Sequence, residues 1–231
     1  FFGQSSFATH AVAQEKNLVK LPAGVPVELV GPLGCGIQTG AGTVLNSLAV
    51  PAGGTIAVAG TGAVGLSGIM GAKVAGATTI IAIDILDERL EVAASLGATH
   101  TINSKDADPI EKIMEITGGG VDFVLDTTGV APVIASLIQA AAFGAKIALV
   151  GVPRPGSSID LGLVSATGKT IIGAIEGDAI PQTFIPQMLS LYEAGLFPFD
   201  KLITTYPFDQ IEQAIADTAS GKAVKAVLVM P

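Results

Sequence analysis

Short apolar runs alternate with helix-length segments through the middle of the chain. Each run is rich in β-branched residues and lies close to a glycine, which is typical of strands buried on both faces of a parallel sheet. A weaker strand, "THTIN", is predicted near Thr99. The five stronger runs are "TIAVAG" from Thr55, "TTIIAID" from Thr78, "VDFVLD" from Val121, "KIALVG" from Lys146 and "TIIGAI" from Thr170.

The segments between these runs have the length and the end signals of helices. Asp87 can cap the start of one helix, and Gly97 can end the same helix in a left-handed conformation. This alternation predicts an α/β fold with a doubly wound parallel sheet of six strands and right-handed crossovers. The predicted helices span Ala63–Ala75, Asp87–Leu96, Pro109–Thr117 and residues 131–143.

The two ends of the chain show a different pattern. A short extended piece, "VAQEKNLVKLP", and a proline-rich turn come first. After about Glu176, the pattern predicts helices over residues 181–194 and 209–219 and a terminal strand, "AVLVM". We therefore expect three parts: residues 1–36, a sheet domain over 37–176, and a carboxy-terminal part over 177–231.

Charge and hydropathy exclude several classes of partner. Twelve basic and twenty acidic residues give a formal net charge of −8, which leaves no basic surface for nucleic acid or for an anionic membrane. No apolar run reaches the ~18 residues of a spanning helix. Because 49% of the residues are hydrophobic and only 14% are charged, we expect another subunit or domain to cover part of the surface.

The chain has one cysteine, Cys35, so it can form no internal disulfide. This favours a reducing compartment, and we expect a cytoplasmic protein. The start, "FFGQSSFATHAV", has neither an initiator methionine nor the basic leader of a signal peptide. We expect it to come from the middle of a longer chain.

A glycine-rich turn, "GTGAVG", follows the first strong strand and places Gly60, Gly62 and Gly65 before a helix. Such a turn lets backbone N–H groups and a helix N-terminus approach a pyrophosphate, although similar turns occur in methyltransferases and as packing devices. Asp84, at the end of the second strand, can accept the ribose hydroxyls of adenosine and would repel a 2′-phosphate. These features favour NAD over NADP; the alternative is that Asp84 only caps the next helix.

The residue types of the chain allow two interpretations of Cys35. A lone cysteine among glycines is by default a small buried apolar residue. A catalytic zinc, in contrast, needs three protein ligands and one open position. The chain has only His10 and His100 as imidazoles, and neither stands at a recognisable ligand spacing from Cys35. The residue types alone therefore favour the first reading.

Several phrases resemble those of the zinc-dependent medium-chain alcohol dehydrogenases, and within them the aryl-alcohol (benzyl alcohol) branch. They are "GCGIQTGAGTVLN", "GGTIAVAGTGAVGLSGIMGAKVAGATTIIAIDI", "GVDFVLDTTG", "ALVGVP" and "FDQIEQAIADTASGKAVKAVLVMP". The resemblance runs along the whole chain. It implies a Rossmann NAD-binding domain over residues 37–176, flanked by parts of a GroES-like catalytic domain over 1–36 and 177–231.

The resemblance also implies a role for particular residues. It makes Cys35 a ligand of the catalytic zinc and places Thr39 behind the nicotinamide ring, at the site of catalysis. For the substrate slot it implies Phe1, Phe2 and Ile175, with Val152 beside them. The NAD-binding residues that it implies are Gly60, Gly62, Ala63, Val64, Gly65, Asp84, Arg89, Thr127, Thr128, Val150, Val152 and Lys225.

The family's remaining zinc ligands, its proton relay and its four-cysteine lobe have no counterpart in this chain. The expectation is an NAD-dependent oxidation of a primary, benzyl-type alcohol to its aldehyde in a longer enzyme, with this chain inactive alone. Two alternatives stay open: a zinc-free reductase on the same scaffold, and a dinucleotide-binding module without catalysis. The resemblance further implies a homodimer or homotetramer that pairs through residues 170–175, and the acidic composition argues against a nucleic-acid or membrane partner.

Overall fold

The computed structural model describes residues 7–231. Its contacts divide the chain into two compact units, which are described separately. One is Cys35–Ala179, and the other combines the segment up to Gly34 with Ile180–Pro231. The strands are β1 (Thr55–Ala59), β2 (Thr79–Asp84), β3 (His100–Asn103), β4 (Val121–Asp126), β5 (Ala141–Leu149), β6 (Thr170–Gly173), β7 (Ile203–Pro207) and β8 (Lys225–Val229).

The helices follow the strands in alternation through most of the larger unit. Short 3₁₀ and π-helical turns lie between several of them. The α-helices are α1 (Val27–Val30), α2 (Gly36–Gly42), α3 (Ala63–Ala75), α4 (Asp87–Leu96), α5 (Pro109–Thr117), α6 (Ala131–Ala140), α7 (Leu161–Ala166), α8 (Pro181–Glu193) and α9 (Ile211–Ala219).

The larger unit contains the predicted parallel sheet. Its six strands stand in the order β3-β2-β1-β4-β5-β6, and every neighbouring pair is parallel. This order, which reverses between β1 and β4, is that of the Rossmann fold and confirms the predicted fold class. Strand β1 lies in the centre, so Ile56, Ala57 and Val58 are fully buried. Because parallel strands share their direction, the carboxyl ends of all six meet at one edge of the sheet.

The predicted helix over residues 131–143 ends three residues early. Ala141 already has an extended backbone, with φ −79° and ψ 145°, and pairs with Val121 as the first residue of β5. Alanines favour a helix on their own, which is why the sequence pattern extends it. Pairing with β4 and the burial of Ala141 override that preference.

Helix α2 was not predicted, because its seven residues, "GIQTGAG", include three glycines. Packing on α3 stabilises it instead. A Cβ atom on Gly40 would collide with the backbone oxygen of Val64, so only glycine permits this approach of the two helices. All seven residues of α2 are buried.

The smaller unit contains a two-stranded parallel sheet of β7 and β8, with Tyr206 opposite Leu228. Helix α9 connects the two strands and packs Ala214 against Tyr206 and Ala223. It begins at Ile211 rather than at residue 209, because residues 208–210 form a 3₁₀ turn. Helix α8 ends at Glu193, one residue before the predicted end. Within the described part of the chain, no helix is both long and apolar enough to cross a membrane.

Candidate functional site

The glycine turn joins the end of β1 to the start of α3. Gly60 has φ +84°, and a Cβ atom there would lie 2.5 Å from Oγ1 of Thr127. A Cβ atom on Gly65 would collide with the carbonyl oxygen of Gly60. A larger side chain at either position would therefore force the helix away from the strand. The turn brings the N-terminus of α3 to the carboxyl edge of the sheet.

The N-terminus of α3 is open to a ligand. Gly62 is the residue before the helix, and no side chain caps the helix there. A Cβ atom on Gly62 would meet only Nη1 of Arg89, at 3.7 Å. The first N–H groups of this 13-residue helix, among them those of Ala63 and Val64, carry a partial positive charge and donate to no capping side chain of the described residues. This arrangement fits the pyrophosphate of a dinucleotide.

Asp84 lies beside the same turn and is bound to it. Its Oδ2 atom accepts hydrogen bonds from the backbone N–H of Thr61 (2.7 Å) and from the Thr61 hydroxyl (2.6 Å). Its Oδ1 atom accepts from the backbone N–H groups of Ile85 (2.7 Å) and Leu86 (3.2 Å). Burial alone would raise the pKa of Asp84, but these hydrogen bonds outweigh burial and hold the pKa below its ordinary value. Asp84 therefore stays ionised, as a ribose acceptor must.

Arg89 covers the turn from α4. Its Nη1 atom donates to the carbonyl oxygen of Thr61 at 3.3 Å. Its Nε atom is buried and has no hydrogen-bond partner among the described residues. A buried donor without a partner is costly, so a ligand oxygen at this point would satisfy it. Arg89 and Asp84 thus both bind Thr61 in the glycine turn, and a contact of Arg89 with the cofactor stays a prediction.

Thr127 and Thr128 follow β4 at the same edge. The Thr127 hydroxyl donates to the carbonyl oxygens of Ala59 and Gly60. The Thr128 hydroxyl donates to Asp126, which is fully buried and also accepts the N–H of Gly129. The sequence analysis did not single out Asp126, although its position at a strand end before "TTG" parallels that of Asp84. Asp126 holds the loop that carries both threonines.

A cavity of about 220 Å³ opens at the carboxyl edge of the sheet, on the side of β2 and β3. It is lined by Ile83, Ser104, Pro109, Pro132, Val133, Ser136 and Leu137. The lining is mostly apolar, and one of its residues, Ile83, directly precedes Asp84 in the chain. Neither Thr127 nor Thr128 lines this cavity, and none of its lining residues was among the predicted ligand contacts. They lie on β2, α5 and α6 and in the turn after β3, so no local motif marks them.

Helix α2 lies next to the N-terminus of α3. Thr39 is buried there, and its hydroxyl contacts the backbone oxygen of Cys35 (2.9 Å) and a carboxylate oxygen of Glu176 (3.2 Å). Oε2 of Glu176 also accepts a hydrogen bond from Nε2 of Gln38, at 3.0 Å. The sequence analysis named Thr39 but missed Gln38 and Glu176, which are 138 positions apart in the chain.

The other predicted residues lie on different elements of the chain. Val150 donates its N–H to the carbonyl oxygen of Asp126 at 2.9 Å. Val152 and Ile175 are strongly exposed, at 92% and 79%, on loops after β5 and β6. Lys225 begins β8 in the smaller unit. The predicted substrate residues Phe1 and Phe2 lie outside the described residues.

The described residues do not form a zinc site. Cys35 is exposed at the start of α2. No group of three or more His, Cys, Asp or Glu side chains comes together anywhere between residues 7 and 231. A catalytic zinc needs three protein ligands. The residues present in this chain therefore do not fit the metal, in contrast to the good fit of the turn, Asp84 and Arg89 to a dinucleotide.

Comparison with known proteins agrees with the fold. Residues 63–194 match the family of zinc-binding dehydrogenases. The chain is 47% identical to a geraniol dehydrogenase of Castellaniella defragrans, over 99% of this chain and 62% of the relative. Two crystal structures cover the whole chain with a TM-score of 0.97. One is an alcohol dehydrogenase zinc-binding domain protein of Burkholderia ambifaria, 52% identical over 63% of its length. The other is a benzyl alcohol dehydrogenase of Acinetobacter calcoaceticus, 48% identical over 64% of its length.

The chain belongs to the zinc-binding dehydrogenase family. Its similarity to the geraniol and benzyl alcohol enzymes identifies it as a zinc-type medium-chain alcohol dehydrogenase sequence. It spans less than two thirds of the length of these relatives.

Proposed function

We propose that this chain is the NAD-binding part of an enzyme that oxidises a primary alcohol to its aldehyde. The observation that carries the proposal is the joint arrangement of the glycine turn and Asp84, which lies within hydrogen-bond distance of Thr61 in that turn. An ionised carboxylate here accepts ribose hydroxyls and repels the 2′-phosphate of NADP. Gly60 and Gly65 let the helix approach the strand, and Gly62 leaves room for the pyrophosphate.

The strand order favours one orientation of the cofactor. In a sheet of this order, a dinucleotide lies across the reversal between β1 and β4, with its adenosine on the side of the acid that ends β2. The apolar cavity beside Ile83 and Val133 is on that side and would take the adenine. The nicotinamide would then lie over β4, β5 and β6, where Thr39 and Glu176 meet.

Bound NAD supplies the hydride acceptor of the proposed reaction. The contribution of this chain is to bind the cofactor and to orient its ring. Thr39 lies on α2, and Val64 lies at the start of α3 beside it, so the two side chains come from the packed helices next to the turn. Thr39 is buried and donates a hydrogen bond to Glu176, and Val64 is half-buried. This favours a fixed wall behind the ring, which keeps the donor and acceptor carbons within reach of each other.

Two relatives suggest the substrate class. One is named for benzyl alcohol and the other for geraniol, and both alcohols carry the hydroxyl on a carbon next to an sp² carbon. We propose a benzyl-type alcohol as the substrate, with an allylic alcohol as the second candidate. Both would need an apolar slot, for which Val152 and Ile175 are candidates because they expose apolar side chains at the carboxyl edge of the sheet.

The reaction as a whole would need more than this chain. The described residues offer no three-ligand zinc group, and the chain spans 62% of the geraniol dehydrogenase. We therefore propose that the 231-residue chain binds NAD but does not turn over an alcohol alone. A cytoplasmic location is part of the proposal, because a single cysteine suits a reducing compartment. Self-association through β6 is a further part.

The activity is tested by following NADH formation from NAD with benzyl alcohol, geraniol and ethanol. The complete gene product and the isolated 231-residue chain are assayed side by side. We expect benzyl alcohol to have the highest kcat/KM with the complete product, and the isolated chain to bind NAD without turnover. Turnover by the isolated chain would contradict the proposal that it binds NAD but cannot oxidise an alcohol alone. NAD binding without turnover in the complete product would favour a non-catalytic module. Turnover without bound zinc would favour a zinc-free reductase.

A further inference from the structure

A strained turn after β6 holds Glu176 against α2. Three consecutive residues have positive φ: Glu176 at 51°, Gly177 at 67° and Asp178 at 48°. Left-handed backbone is unfavourable for residues other than glycine, and glutamate is not among those that tolerate it best. Such strain persists only where the surroundings fix it, and it concentrates at functional sites.

The surroundings of this turn do fix it. Nδ2 of Asn46 donates to the carbonyl oxygen of Gly177 at 3.1 Å, and the Ser47 hydroxyl donates to Asp178 at 2.6 Å. A Cβ atom on Gly177 would lie 2.7 Å from the backbone oxygen of Gln38. The turn therefore sits directly on α2, and only glycine permits this contact. The carboxylate of Glu176 is held by the same helix.

The carboxylate of Glu176 has donors on its inner side. Nε2 of Gln38 lies at 3.0 Å, and the hydroxyl oxygen of Thr39 lies at 3.2 Å. Both side chains are buried, with 2% and 7% exposure, and both are neutral. Among the described residues, no salt bridge involves Glu176. Its negative charge is thus hydrogen-bonded but not neutralised by a neighbouring cation.

This uncompensated charge lies at the carboxyl edge, on the β4 to β6 half of the sheet. In the proposed orientation of the cofactor, that half receives the nicotinamide. The nicotinamide ring is positively charged in NAD⁺ and neutral in NADH. A fixed carboxylate nearby therefore attracts the oxidised form and is nearly indifferent to the reduced form. Because the carboxylate interacts differently with the two forms, it changes the affinity of the site for NAD⁺ relative to its affinity for NADH.

We propose that Glu176 sets the preference of this site for oxidised over reduced nicotinamide. It does so as a fixed negative charge that the strained turn, Gln38 and Thr39 hold at the nicotinamide side. Glu176 takes no proton and forms no bond to the cofactor, so it is a specificity-determining residue and not a catalytic one. The inference rests on the proposed binding of NAD.

The test measures both cofactor forms on the same protein. NADH binding is followed by its fluorescence, and NAD⁺ binding by displacement of NADH. For Glu176→Gln, which keeps the size of the side chain and removes its charge, we expect NAD⁺ affinity to fall by about tenfold relative to NADH affinity. One unit charge a few ångströms away in a partly solvated site has an effect of this order. The matched control is Asp178→Asn, which removes a charge from the same turn two residues away, where Ser47 holds it; its affinity ratio should change less than about twofold.

A second pair of variants keeps the inference testable if Glu176→Gln does not fold. Glu176→Asp and Glu176→Asn place side chains of equal size at a positive φ that both tolerate, and they differ only in charge. The aspartate variant should bind NAD⁺ better relative to NADH than the asparagine variant does. An equal ratio of NAD⁺ to NADH affinity in the aspartate and asparagine variants would overturn the proposal. An equal loss of NAD⁺ and NADH affinity in Glu176→Gln would also overturn it and would leave Glu176 a structural role only. An equal shift in Asp178→Asn would overturn it as well. If the unchanged protein binds neither form, the proposed function fails first, and this inference fails with it.

Discussion

The carboxylate of Asp84 and the hydroxyl of Thr61 form a 2.6 Å hydrogen bond, and the backbone N–H of Thr61 donates to the same oxygen at 2.7 Å. Thr61 is fully buried inside the glycine turn. The acid that would bind ribose is thus also the residue that stabilises the turn. The alternative from the sequence, that Asp84 only caps the next helix, is wrong, because Leu86 precedes α4 and no side chain of the described residues caps that helix. The role of Asp84 as a ligand acceptor stays a prediction.

Thr61→Val should destabilise the protein in a pH-dependent manner. Valine has the shape of threonine but cannot donate to Asp84, so the loss at neutral pH should be about 1.5 to 3 kcal/mol, the range for a hydrogen bond to a charged group. The pKa of Asp84 is lowered in the fold. Its ionic contribution is therefore present above its ordinary value of about 4 and lost as the pH falls through the folded pKa.

Denaturant unfolding of wild type and Thr61→Val at several pH values measures this effect. The difference in free energy of unfolding should be constant near neutral pH and shrink below about pH 4. Thr78→Val is the matched control, because the Thr78 hydroxyl donates to a neutral carbonyl oxygen, that of Gly53. Its effect should not vary with pH. A pH-independent difference for Thr61→Val would show that the hydroxyl does not stabilise the ionised carboxylate.

The smaller unit offers a spectroscopic prediction. The Tyr206 hydroxyl donates to Asp217 at 2.8 Å. This hydrogen bond is the main cause of the raised pKa of Tyr206, with burial second. Ultraviolet titration follows the tyrosines, of which the chain has two. Asp217→Asn should lower the pKa of one tyrosine toward its ordinary value, and Tyr206→Phe should remove that transition. An unchanged titration in Asp217→Asn would contradict the hydrogen bond.

The edge strand β6 provides a test of the proposed self-association. The N–H of Ala174 donates to Leu149 on β5. Because successive N–H groups of a strand alternate in direction, the N–H of Ile172 also points to β5, whereas that of Gly173 points away from it. A proline at Gly173 should therefore remove an outward donor without breaking the sheet.

We expect wild type to be a dimer, or a tetramer of dimers, and Gly173→Pro to be a folded monomer. Light scattering at micromolar concentration measures the mass. Gly173→Ala is the control, because it keeps the N–H and a Cβ atom there meets nothing within 4 Å. A monomeric wild type, or a Gly173→Pro variant that stays fully dimeric, would contradict self-association through β6.

The isolated chain should not hold zinc at one ion per molecule. One exposed thiolate cannot provide a three-ligand site, and the described residues contain no larger group of ligands. Metal analysis after dialysis of wild type and Cys35→Ser measures this, and both should retain little zinc. Stoichiometric zinc that is lost in Cys35→Ser would show that further ligands join Cys35.

The sequence predicted the parallel sheet well, because its strands are continuous apolar runs and its helices end at clear signals. Helices α3, α4 and α5 have the predicted bounds, and in two of them Gly76 and Gly97 follow the last helical residue. Helix α2 was missed for a physical reason: its glycines are unfavourable in an isolated helix and favourable only against α3. The early end of α6 likewise depends on pairing between distant strands.

The candidate site was predictable only where a local motif marks it. Gly60, Gly62, Gly65 and Asp84 follow from spacing alone. Glu176 and Gln38, in contrast, meet only because the turn after β6 packs against α2 in the fold. The cavity beside Ile83 likewise draws its lining from β2, α5, α6 and the turn after β3. Contacts between residues far apart in the chain leave no periodic signal in a single sequence.

The most direct test of the account is a calorimetric titration of the 231-residue chain with NAD and with NADP. We expect NAD to bind at least about tenfold more tightly, since like charges at the ribose disfavour NADP. Asp84→Asn should weaken NAD binding and reduce the difference in affinity between NAD and NADP. Asp87→Asn, which removes a charge three residues later, should leave that difference unchanged. Tighter binding of NADP, or binding of neither cofactor, would contradict the central claim that Asp84 and the glycine turn form an NAD site.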